Sequence, residues 1–194
     1  MLFLGPKNKE LEHFADLLVK GTAALFQERG DLAFSKVDEK VKKSIVEYRG
    51  KMRADGMEKF DNNPTYVSSV NFYANAAAME KKKALGALIV YVEESYVAKL
   101  MQMLQYPLID DEDENAKLDS SGTLCNILAG RFKSEVSAEG YIELEMSHFS
   151  TYRNSAVPGV DFCFNEFDMY MVDFHINSEK RMVLEMTMGA VPKR

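Results

Sequence analysis

"KLDSSGTLCNILAGRFKSEV" (residues 117–136) is the stretch on which the fold turns. Leu118, Cys125, Leu128, Phe132 and Val136 share one side of an α-helix, and Leu124 broadens that side. Roughly opposite, Asp119, Thr123, Asn126, Gly130 and Lys133 follow one another by threes and fours. At ~100° per residue they form one narrow stripe. Such a helix buries one side in a sheet and presents the other. The stripe is neither apolar nor densely charged; it sets a carboxylate, a hydroxyl, an amide and a glycine in line. Gly130 costs the helix ~1 kcal/mol relative to Ala, and close approach by another surface is one reason to keep it. Two readings of these residues stand. The plainer one, favoured on physical grounds alone, is a polar outer face with Gly130 packed against a neighbouring element. The other is a binding face.

Working outward, "LIDDEDENAK" (108–117) is an acidic loop leading into this helix, and "YVAKLMQMLQY" (96–106) is a shorter helix stopped by Pro107. Before it the period changes. "YVSSVNFYA" (66–74) and "ALGALIVYVEES" (84–95) read as strands, joined by "NAAAMEKKK" into an antiparallel pair. After Gly140 come three strand candidates, at 141–152, 160–176 and 181–189, with Asn177-Ser178 as a turn between the last two. At the start, residues 8–29 form an amphipathic helix through Leu11, Phe14, Leu18, Thr22 and Leu25, with Asn8 as its cap and Gly30 as its stop. Residues 31–63 are charge-rich and mix signals; they hold a short helix or an edge strand. Helices interspersed with hairpin-linked strands predict an α+β fold: a mainly antiparallel sheet with helices packed on it. Residues 1–65 are expected as an N-terminal helix and connector within the same fold, and residues 66–194 as its core.

Composition narrows the function. With 194 residues and 46% hydrophobic residues, the chain can bury a real core. Its net charge of −6 argues against nucleic acid or an anionic membrane as the main partner, because both select basic surfaces. No apolar run reaches transmembrane length, and "MLFLGPK" is too short for a secretory core. The two cysteines, Cys125 and Cys163, have no metal spacing and are too few for a secreted disulfide scaffold. A cytoplasmic protein is expected.

Several chemistries drop out. His13, His148 and His175 make no HExxH, and neither a nucleophile elbow nor a phosphate-binding glycine loop is present. Asp111, Asp113 and Asn115 begin an EF-hand-like spacing. Ala116 then stands where the tight turn needs Gly, and Gly122 where calcium needs a bidentate Glu. The acidic run is better read as a solvated loop whose carboxylates favour a helix N-terminus. The twelve methionines are core or interface filler, and Lys81–Lys83 is a solvated hairpin tip.

The quoted helix resembles the signature helix of the CheC/CheX/FliY chemotaxis phosphatase family, CheX-like members above all. Asn126, Ala129 and Gly130 match the pattern ExxNxxAG, and the order of elements over residues 66–189 agrees. The resemblance implies a substrate: the phosphorylated aspartate of a response-regulator receiver domain of CheY type. It implies that Asn126 positions the attacking water, since an amide both donates and accepts. Asp119, Thr123, Gly130 and Lys133 are then partner-binding. No cofactor of the chain's own is implied; Mg²⁺ belongs to the receiver domain. A homodimer paired through sheet edges is also implied. The chain departs from the pattern in two places. Thr123 stands where the family has a Glu that docks a receiver lysine, with Asp119 one turn earlier on the same stripe. "LEMSHFS" (144–150) lacks the proline often found after the signature helix. Two functions therefore stay open, an aspartyl-phosphate phosphatase and a catalytically degenerate binding or assembly module.

Overall fold

Gly86–Glu93 (GALIVYVE) has no charged side chain before its last residue, and the reason is its place at the centre of the molecule. Leu88, Val90 and Val92 point into one hydrophobic core. The alternate residues Ala87, Ile89 and Tyr91 point into a second core on the opposite face of the sheet. A strand covered on both faces needs apolar residues at every position, so its period-2 signal vanishes into a continuous run.

The computed structural model describes residues 9–30, 34–153 and 159–194. In chain order the elements are α1 (Lys9–Gly30), β1 (Lys36–Val37), β2 (Val41–Ser44), β3 (Glu47–Tyr48), β4 (Lys51–Met52), β5 (Thr65–Tyr73), α2 (Ala76–Glu80), β6 (Gly86–Glu93), α3 (Val97–Met103), α4 (Glu114–Ala138), β7 (Glu145–Met146), β8 (Ser150–Arg153), β9 (Asp168–Ile176) and β10 (Glu179–Met188). The main sheet runs β1-β9-β10-β6-β5-β7, with β2 also on β9 and β8 also on β5. Every pairing in it is antiparallel. This is the α+β architecture expected from the sequence. The β9–β10 hairpin turns at Asn177 and Ser178, both at positive φ (52° and 66°), as a tight two-residue hairpin requires.

The larger core lies between the sheet and the helices α1, α3 and α4. Phe132 of α4 is at its centre, edge-on to Phe72 of β5 at 5.2 Å and to Phe14 of α1 at 6.4 Å. Leu11, Phe14, Leu18, Thr22 and Leu25, the predicted inner face of α1, are all buried. Asn8, expected as the cap of α1, lies outside the described residues. Met101, Met182, Met186 and Met188 fill this core, as predicted for methionines.

Of the two readings of residues 31–63 the edge strand holds: residues 34–63 contain no helix, and β1 and β2 extend the sheet edge along β9. One expectation is corrected. Residues 160–167, read as the start of a long strand, form a β-bridge at Val160 and then irregular chain. Their apolar residues serve another purpose. Val160 and Phe162, with Met52, Ala54 and Phe60, cover the second face of the sheet. Within that layer Glu185, 2% exposed, is fully engaged. Lys59 Nζ and the Tyr91 hydroxyl each donate to its carboxylate at 2.5 Å, which meets the condition for burying a charge. Burial, with the adjoining Glu185 charge, pushes the Tyr91 phenol well up.

Candidate functional site: the outer stripe of helix α4

α4 begins where the acidic loop ends. The Asp113 carboxylate accepts the Ala116 N–H at 3.0 Å and caps the helix, and Asp110 accepts from the Glu112 N–H at 2.9 Å. The acidic run thus closes its own turn. Among the described residues, no group of three or more His, Cys, Asp or Glu side chains is placed to hold a metal. Gly140, at φ +85°, follows the other end of the helix.

Leu124, Cys125, Leu128, Ala129, Phe132 and Val136 are buried against the sheet and α1. Burial alone pushes the Cys125 thiol far up, so it is a small core residue rather than a nucleophile. The predicted stripe faces outward. Asp119 and Asn126 are exposed; Thr123, Gly130 and Lys133 are half-buried. The structure thus keeps all five along one accessible line of α4. The Asn126 amide has no hydrogen-bond partner among the described residues.

The plainer reading of Gly130 is overturned. A Cβ at Gly130 would meet nothing within 4 Å, so no neighbouring element approaches it. The tight glycine is Gly122, where a Cβ would lie 2.2 Å from Phe149 Cδ2 and 2.7 Å from Thr151 Cγ2. Gly122 lets the Phe149 ring and β8 close against the helix. Beside it, the Ser121 and Ser68 hydroxyls hydrogen-bond at 2.7 Å and tie α4 to β5.

A set of ion pairs that sequence reasoning missed holds the helix in place. Glu94, just after β6, accepts from Arg153 Nε at 2.8 Å and Lys117 Nζ at 3.3 Å. Burial raises the Glu94 carboxyl, but these two cations outweigh it and hold it below the usual range. Arg153 also pairs with Glu114 at 3.1 Å. On the α1 side, Arg131 forks onto both Glu28 oxygens at 2.9 and 3.1 Å and donates to Glu135 at 3.0 Å. Past Gly130 the stripe opens into a groove of about 540 Å³, lined by Lys133, Ser137, Glu143, Met146 and Arg194 among others. Glu143 comes from the chain leading into β7, Met146 from β7 and Arg194 from the far end of the sequence. No local periodicity marks them.

A mainly antiparallel sheet, helices on one face and one long helix with an outward polar stripe define the class: this is the CheC/CheX/FliY-like fold. Particular structures carry the likeness. FliY from Thermotoga maritima superposes with a TM-score of 0.59 at 14% identity, over 96% of this chain and 92% of that one. A CheC-like superfamily protein from Shewanella sp. PV-4 gives 0.57 at 15% identity, over 89% and 95%. CheX in the CheX–CheY–BeF3–Mg²⁺ complex from Borrelia burgdorferi gives 0.56 at 12% identity, over 91% and 98%. No family model matches the sequence, and no curated protein matches it.

Proposed function

We propose that the chain is a CheX-like signalling protein that acts on the phosphoaspartate of a CheY-type receiver domain, with Asn126 positioning the attacking water. The observation that carries this reading is the state of Asn126. Its amide is exposed at the middle of the stripe and has no partner among the described residues, so both its N–H₂ and its oxygen are free for a water. The fold likeness, including a CheX solved in complex with CheY, supports it.

The chemistry asks little of such a protein. The water oxygen bonds to phosphorus as the bond from phosphorus to the aspartyl oxygen breaks. Aspartate and inorganic phosphate result, and the proton leaves with the phosphate or to solvent. The acyl phosphate is already reactive and the receiver holds its own Mg²⁺, so catalysis reduces to aligning water with the phosphoryl group. Asp119 stands in for the family Glu absent at Thr123. The protein is taken as a cytoplasmic homodimer with no cofactor of its own.

Thr123 favours a second reading: a binding module that has lost hydrolysis. One experiment separates the two. Decay of phosphorylated receiver domains from the same organism is followed alone, with this protein, and with Asn126→Ala. Acceleration by wild type that the variant loses by at least about a hundredfold supports water positioning. Binding without acceleration supports the module, and no effect of either kind sinks both.

A further inference from the structure

α4 carries six charged side chains within its span, and they divide sharply. Glu114, Lys117, Arg131 and Glu135 are all in ion pairs. Asp119 and Lys133 have no ion-pair partner among the described residues. The helix explains neither. No opposite charge stands three or four positions from either residue. Both lie beyond the terminal turns where the helix dipole acts.

Their positions are regular. Asp119 is seven residues before Asn126 and Lys133 seven after. At 1.5 Å per residue they stand about 10 Å to either side of the amide along one line. Lys133 also opens onto the groove beyond Gly130, whose charged lining is Lys133, Arg194 and Glu143, two cations to one carboxylate.

We infer that Asp119 and Lys133 are a two-point clamp of opposite sign that fixes which way round a receiver domain lies on α4. The inference rests on the proposed function. Its occupant is a receiver surface with a cation facing Asp119 and a carboxylate facing Lys133 at the mouth of the groove. The two lie about 20 Å apart with the phosphoaspartate between them. Thr123 removes the family's docking charge, and Asp119 restores it one turn nearer the N-terminus. The cation at Lys133 then supplies the polarity that a single contact lacks. Opposite charges flanking a site contribute mainly to encounter and register, so their effect falls with salt.

The test uses the full chain and the organism's receiver domains loaded with beryllofluoride and Mg²⁺. Binding is measured for wild type, Asp119→Lys, Lys133→Glu and the neutral pair Asp119→Asn and Lys133→Met, at low and high salt. Each charge reversal is expected to weaken binding about tenfold or more at low salt, each neutral variant less, with the differences shrinking as salt rises. In phosphate decay, the reversals raise KM and leave kcat near wild type, whereas Asn126→Ala lowers kcat. Reversing one receiver lysine should rescue Asp119→Lys and not Lys133→Glu. If both reversals bind like wild type while Asn126→Ala still abolishes acceleration, the clamp is wrong and the function stands. If wild type neither binds nor accelerates the decay of any receiver, the clamp falls together with the function. Unchanged thermal midpoints for the variants separate lost docking from lost folding.

Discussion

Gly122 and Gly130 are eight residues apart on one helix, and opposite outcomes are expected when each becomes alanine. At Gly130 the added methyl meets no atom of the chain, so only the helix preference remains. Gly130→Ala should stabilise the protein by about 0.5–1 kcal/mol. If a partner lies close over the stripe, the same variant should bind a receiver domain more weakly. At Gly122 the methyl would enter the Phe149 ring, and Gly122→Ala should cost about 1–3 kcal/mol. Urea unfolding midpoints read both, and the titration described above reads the binding. A stability loss at Gly130 would mean that the helix glycine serves packing after all. Sequence alone ranks these glycines the wrong way. Both interrupt a helix, and only the positions of Phe149 and Thr151 say which one is crowded.

At the scale of the element, α4 is held at its first turns by Glu94, Lys117, Arg153 and Glu114 and at its last by Arg131. The Glu94 carboxyl is held below its ordinary value of 4.5 by Arg153 and Lys117 against the opposing effect of burial. A group depressed in the folded state contributes stability that is present above its unfolded pKa and drains as pH falls through the folded one. Glu94→Gln should therefore be less stable than wild type near neutral pH, with the gap narrowing as the pH falls below the ordinary value and through the lowered one. Unfolding midpoints of both proteins between pH 7 and pH 3 check this, and a gap independent of pH would remove charge from the explanation. The helix and its outward stripe were legible in the sequence, because a helix face follows from the spacing of neighbours, whereas its start at Glu114 and its cap at Asp113 came from the structure. The clasp was not legible either. Glu94, Arg153 and Glu28 lie at the ends of other elements and meet α4 only through the fold.

For the whole molecule, the open question is its assembly. The β2 edge of the sheet leaves Val41, Val46 and Phe167 at 49%, 56% and 76% exposure. Phe167 adjoins that edge, its carbonyl accepting the Ile45 N–H at 2.8 Å. Apolar residues beside an unpaired strand are the usual setting for edge-to-edge pairing. Light scattering at micromolar concentration is expected to give twice the 22.0 kDa chain mass. Val41→Glu with Phe167→Glu should return the mass of one chain without lowering its thermal midpoint. A wild-type monomer would remove the dimer from the proposal.

Short-range spacing by itself determined the helices α1, α3 and α4, the strands β5, β6, β9 and β10, the Asn177-Ser178 turn and the outward line through Asn126. Each depends on residues a few positions apart, and hydrophobic periodicity reports such relations directly. Only the tertiary structure decided that residues 160–167 cover a second core instead of extending a strand. Their apolar run satisfies either role, and the partner that settles it, the face made by Ile89, Tyr91 and Val183, is far away in the chain. The tertiary structure likewise decided which charges on α4 are spent within the molecule and which remain for a partner. Pairing is a property of space: Glu94, Arg153 and Glu28, which take up Lys117, Glu114 and Arg131, all lie on other elements.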